Sequence, residues 1–146
     1  MNVAGKLGHD ELIAGLSKAV GENPGVIFVA CHFANCCTDL SKLGAMLDQH
    51  PNLYADIAAR YAEITPVPQA AAAFITKYQD RLVYGTDMGM QVAMYRSTFR
   101  ILETADEHFY DPSLAGYHWA LYGLHLSKKV LHKLYQTNAA NILNIK

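Results

Sequence analysis

The sequence predicts an α/β fold in which parallel strands alternate with helices, and three observations carry the prediction. Amphipathic stretches at helical spacing alternate along the chain with short apolar runs. Those runs are rich in β-branched and aromatic residues and nearly continuous, as in strands covered on both faces. Each run also ends in polar residues, around His32, around Asp56 and Arg60, and at Asp87. In sheets of this kind the C-terminal strand ends form the active-site face, so polar residues there are site candidates.

From His9 to about Val20, the positions Leu12, Ile13, Leu16 and Val20 fall on one helical face, and Gly21-Glu22-Asn23-Pro24-Gly25 stops the helix. The apolar run Val26 to Phe33 follows as the first strand, with His32 near its tip. Thr38 or Asp39 caps the next helix, whose stripe is Leu40, Leu43, Met46 and Leu47 and which ends at His50-Pro51-Asn52. Leu53 to Arg60 alternates, with Leu53, Ala55, Ile57 and Ala59 on one face and Tyr54, Asp56, Ala58 and Arg60 on the other. An alanine-rich helix from Gln69 to Tyr78 leads into the third strand, Arg81 to Asp87. Gln91 to about Thr104 is helical by pattern, with Val92, Tyr95, Phe99 and Leu102 on a shared face. A loop rich in aromatic residues contains Tyr110-Asp111-Pro112 and Gly116-Tyr117-His118-Trp119, and the last helix starts near Ser127 and bends around Thr137-Asn138.

Length and composition bound the function. The 146 residues suit one domain with a real core, whereas a closed eight-unit α/β barrel takes about 250. A net charge of -1 and a pI near 6.6 give no basic surface for nucleic acid or anionic membrane, so a small molecule is the expected substrate partner. The N-terminal residues lack the apolar core of a signal peptide and no run reaches the roughly 20 residues of a membrane helix, so a cytoplasmic location is expected. Cys31, Cys36 and Cys37 match neither a disulfide framework nor paired zinc-ligand spacing and read as small buried thiols.

His32, Asp56, Arg60 and Asp87 recur at about the length of one βα repeat, so neighbouring parallel strands bring them towards one rim. There an imidazole and a carboxylate can share a metal, a water or a substrate proton. His32 reads either as a site residue or as a hydrogen-bonded core or capping histidine, and Asp87 either as a site residue or as a helix cap. Asp56 and Arg60 either pair with each other or leave Arg60 to clamp a substrate carboxylate.

The ordered runs Val29 to Phe33, Asp48 to Arg60, Tyr78 to Asp87 and Lys133 to Leu143 together resemble the amidohydrolase-related family of metal-dependent hydrolases, over almost the whole chain. The resemblance implies a (β/α)₈ TIM barrel of which this chain is the C-terminal part, with residues 1–146 as a partial barrel domain. It implies metal-dependent hydrolysis or decarboxylation of a small molecule, with zinc or manganese as the divalent metal. His32 then acts as catalytic acid or base, Asp87 as catalytic base and metal ligand, and Arg60 as the substrate-binding residue. The family's first-strand H-x-H ligands and fifth-strand histidine have no counterpart here, so His32 and Asp87 alone do not complete a metal site with the usual ligand count, and this chain by itself either holds the divalent metal or lacks it. Exposed apolar edges then predict self-association or pairing with an N-terminal barrel portion. A non-catalytic module acting in assembly is the alternative reading.

Overall fold

The computed structural model describes residues 5–112 and 117–145, so the first four of the N-terminal residues and Gly116 of the aromatic loop lie outside the described residues. Helix α1 (His9–Glu22) leads to strand β1 (Phe28–Ala30), helix α2 (Leu40–Gln49) to β2 (Leu53–Asp56), and the short α3 (Tyr61–Ile64) and α4 (Pro68–Lys77) to β3 (Leu82–Val83). The three strands form one parallel sheet in the order β1-β2-β3, with Val29 opposite Tyr54 and Asp56 opposite Val83. The expected α/β class with parallel strands is what the chain adopts. No helix among the described residues is long and apolar enough to cross a membrane.

The alternation read in the second strand sets the two faces of the sheet. Leu53, Ala55, Ile57 and Leu82 are fully buried in a core shared with Leu43, Met46 and Leu47 of α2 and Ala71 and Ile75 of α4. On the opposite face Tyr54 and Val83 are half-buried and Val29 is exposed, as are Val26 and Ile27 on the approach to β1. The sheet is therefore closed by helices on one side only. Asp39 caps α2 by accepting a hydrogen bond from Ser41 N (3.1 Å), as its position in the sequence predicts.

The strands are shorter than their apolar runs. Beyond Asp56 the chain leaves extended geometry, Ala59 takes φ 55°, and Arg60 becomes the residue before the first turn of α3 instead of a strand residue. The third strand likewise stops at Val83, four residues before Asp87. Each tip then turns through the left-handed region a few residues on, at His32, Ala59 and Asp87.

Helix α5 (Val92–Glu103) buries Met94, Ser97, Thr98, Ile101 and Leu102, so that of the shared face read in the sequence Leu102 enters the core while Val92 is exposed. Thr98 tolerates burial because its hydroxyl meets Tyr84 Oη (2.7 Å), and Ser97 Oγ donates to Ala93 O (3.0 Å). Phe99 sits on the flank of α5, with its ring centroid 5.7 Å from Tyr84 and 5.3 Å from Tyr135.

The bend expected near Thr137-Asn138 is a π-helical turn, Lys133–Thr137, between α6 (Lys128–His132) and α7 (Asn138–Leu143). A π turn frees backbone carbonyls, and Leu134 O accepts from Tyr84 N (2.9 Å) just past β3. The buried Asn138 amide donates to Gln79 O and Leu82 O, each at 2.7 Å. The last helix thus covers the β3 edge, whereas the far edge of β1 has no strand beside it among the described residues.

Candidate functional site

At the C-terminal ends of all three strands the backbone turns left-handed at a non-glycine residue: His32 (φ 59°), Ala59 (φ 55°) and Asp87 (φ 57°). After β1 the conformation persists through four residues, His32, Phe33, Ala34 and Asn35, which make a single left-handed turn. Left-handed geometry costs an L-residue with a Cβ roughly 1–2 kcal/mol. Burial offsets part of that cost, since Phe33 is fully buried edge-on to Phe74 at 6.2 Å and Ala34 is buried beside it.

The middle tip supplies the remaining support. Asp56 Oδ1 accepts from His32 N (2.7 Å) and from Ala58 N (3.0 Å), while Ala58 O meets His32 Nδ1 (3.1 Å). Asp56 therefore does not pair with Arg60, one of the two readings its position allowed; it binds the backbone that carries the imidazole. A carbonyl only accepts, so the contact to Ala58 O places the proton of a neutral His32 on Nδ1 and leaves the Nε2 lone pair free. That Nε2 faces Asp87, 3.6 Å from Oδ2. Ala59 N donates to Thr86 O (3.2 Å), which ties the tip bearing Asp87 to the same frame.

The structure thus brings together His32 and Asp87, with Asp56 behind them. The side chains are graded in exposure, Asp56 at 18%, His32 at 27% and Asp87 at 60%, so the innermost carboxylate is structural and the outermost meets solvent. Arg60 stands apart from this pair. Its Nη1 donates to Glu63 Oε1 (3.0 Å) and its Nη2 to Asn35 Oδ1. The two ends of the guanidinium that would grip a substrate carboxylate are occupied. Asn35 and Glu63 were not legible as site neighbours from sequence, although each lies three residues from His32 or Arg60, the spacing of adjacent positions on a turn.

The aromatic loop after α5 closes on this region. Its ends pair at Phe109 and Leu121, the Trp119 indole donates to Ala62 O (3.1 Å), and Tyr117 packs 5.0 Å from Trp119. Burial pushes the Tyr117 phenol up, and the nearby Glu63 carboxylate adds to the effect.

Of the three thiols, Cys36 is buried as expected, but Cys31 is exposed, because it precedes the left-handed turn at the open face of the sheet. The Asp56 carboxylate pushes the Cys31 thiol up, with smaller contributions from burial and from Asp87. Raising a thiol's pKa lowers its thiolate fraction at a given pH. Alkylation of Cys31 by iodoacetamide at pH 8 is therefore expected to be slow for an exposed thiol and faster in Asp56→Asn, whose amide oxygen can still accept from His32 N. Site-resolved mass spectrometry measures both rates, and equal rates would show that the Asp56 charge does not govern this thiol.

An imidazole nitrogen with its other nitrogen committed to a carbonyl, beside an exposed carboxylate, is the donor chemistry that zinc or manganese accepts. Two donors fall short of the three protein ligands of a catalytic zinc site. Among the described residues no group of three or more His, Cys, Asp or Glu is placed to hold a metal ion. The rim fits part of a metal site and not a whole one, so no chemical step is derived through a metal.

A family model described as Amidohydrolase matches residues 10–145. No curated protein and no solved structure matched the chain.

Proposed function

The chain belongs to the amidohydrolase family, and on that premise we propose that it serves hydrolysis of a small molecule at the rim where His32 meets Asp87. The 3.6 Å approach of His32 Nε2 to Asp87 Oδ2, with Nδ1 already held by Ala58 O, is the observation that carries this reading. The two acceptors are close enough for one water to donate to both. Asp87, the more exposed carboxylate, takes the proton as that water attacks. Asp87 passes that proton to the free lone pair of His32 Nε2, 3.6 Å away, and His32 delivers it to the leaving atom, so both groups end as they began, while Asp56 and Ala58 keep the ring aimed. A divalent metal, zinc or manganese, when bound would lower the pKa of the water and polarise the scissile bond. Decarboxylation of a related substrate uses the same donors and is the neighbouring reaction class.

In this reading the three-strand sheet is part of a (β/α)₈ barrel, and further strands, from a longer chain or a second copy, lie along the open edge of β1. The exposed Val26, Ile27 and Val29 support that placement. A cytoplasmic setting agrees with three unpaired thiols. The same open edge favours a second reading, a non-catalytic module that acts in assembly.

Metal content separates the two. After dialysis against metal-free buffer and addition of zinc or manganese, the hydrolase reading expects near-stoichiometric metal by elemental analysis, with a second copy completing the ligand set that His32 and Asp87 begin, together with turnover on a panel of small amides, lactones and esters. Neither metal retention nor turnover with added metal would sink it in favour of assembly.

A further inference from the structure

We propose that Arg60 is a positioning residue that acts on His32 through Asn35, instead of a substrate clamp; this rests on the reading of His32 as a site residue. The left-handed turn carrying His32 is gripped at both ends by the segment that follows β2. At its start Asp56 Oδ1 accepts from His32 N (2.7 Å), and at its end Arg60 Nη2 donates to Asn35 Oδ1. A third grip comes from α1, where His9 Nε2 lies 3.1 Å from Asn35 O.

Four consecutive left-handed residues, none of them glycine, do not hold that geometry by local preference. Something must hold the far end of the turn, or the ring of His32 loses the orientation that Ala58 O selects. Arg60 is suited to this because its fork has two ends, one on Asn35 and one on Glu63 Oε1 (3.0 Å), and Glu63 fixes the fork from α3. The Arg60 Nε is buried without a hydrogen-bond partner among the described residues, as is Glu63 Oε2. A lysine keeps the charge and cannot span both partners.

The test uses nitrogen NMR of the His32 ring in the full chain, which reads tautomer and proton exchange without metal, substrate or turnover. The wild type is expected to show a single neutral tautomer protonated on Nδ1, with slow exchange of that proton. Asn35→Ala, Arg60→Met and Arg60→Lys should each yield mixed tautomers and faster exchange, and Asn35→Asp, which keeps an acceptor oxygen, should restore the wild-type signature. Alanine can occupy the left-handed region here, as Ala34 does at φ 52°, so Asn35→Ala tests the inference even if the Arg60 variants fold poorly. The double variant Asn35→Ala/Arg60→Met should be no worse than either single change. A wild-type signature in Asn35→Ala or Arg60→Met would overturn the inference. So would a raised KM in Arg60→Lys with the His32 signature unchanged, since that pattern belongs to a substrate clamp. A wild-type protein with the expected tautomer but no hydrolysis would instead count against the proposed function and leave this one standing.

Discussion

Replacing Asp87 by asparagine is expected to cut hydrolytic turnover by about 10²–10⁴-fold, the range that general acid–base catalysis contributes, while leaving the fold intact. The structural half of the expectation follows from where Asp87 stands. Its side chain is 60% exposed, and its contact with His32 Nε2 at 3.6 Å is longer than a hydrogen bond. The residue tolerates φ 57° as asparagine would, because both short polar side chains visit the left-handed region. Thermal unfolding should therefore move little. The chemical half follows from charge, since the amide keeps one acceptor oxygen and loses the anion, so it can orient a water and cannot take its proton. His32→Gln makes the complementary test, with the same class of loss but some destabilisation from the broken contact to Ala58 O. If Asp87→Asn retained wild-type turnover, the rim pair would not be the centre of the reaction.

The α/β class, the order of the elements, a cap at Thr38 or Asp39 and the helix start near Ser127 were legible because each rests on local chemistry: apolar period, breakers, and a side-chain oxygen beside free N–H groups. Convergence of His32 and Asp87 was legible because parallel strands one repeat apart place their tips on the same rim. The hydrogen-bond partners of Asp56 and Arg60 were not. Whether a carboxylate bonds a side chain or a backbone N–H depends on where the chain turns, and at Ala59 it turns left-handed with no glycine to announce it. The face that α5 buries was not legible for a related reason. Aromatic residues mark a helix face by size, yet the partly exposed Phe99 ring lies sideways against Tyr95 and Tyr84, while Ser97 and Thr98 go inward because partners await them. Side-chain partners set by tertiary contact leave no mark on the period of the sequence.

The largest effect on stability is expected at Gly123, far from any residue that a search for chemistry selects. The aromatic loop returns there to the end of α5: Gly123 N donates to Asp106 O (2.8 Å), Leu124 N to Ile101 O (2.7 Å) and His125 N to Thr104 O (3.0 Å). A Cβ on Gly123 would lie 2.0 Å from Thr104 O and 2.7 Å from its carbonyl carbon. Those atoms are backbone, held by the helix on one side and by His125 N on the other, so the methyl cannot be accommodated by a side-chain rotation. Gly123→Ala is expected to cost about 2–4 kcal/mol and to lower the melting temperature by on the order of 10 °C. Because Leu121 and Leu124 on either side are buried in the core, the loss is cooperative and not confined to the loop. Trp119, the sequence's one tryptophan, reports the event directly. Its indole should lose the bond to Ala62 O and its emission should shift to the red. Gly15→Ala, inside α1 with nothing within 4 Å of the added carbon, is the control and should stabilise by roughly 0.5–1 kcal/mol. Equal melting temperatures for Gly123→Ala and the wild type would mean that the loop can lift from α5 without cost, and that the contact between Ala62 and Trp119 does not hold it to the rim.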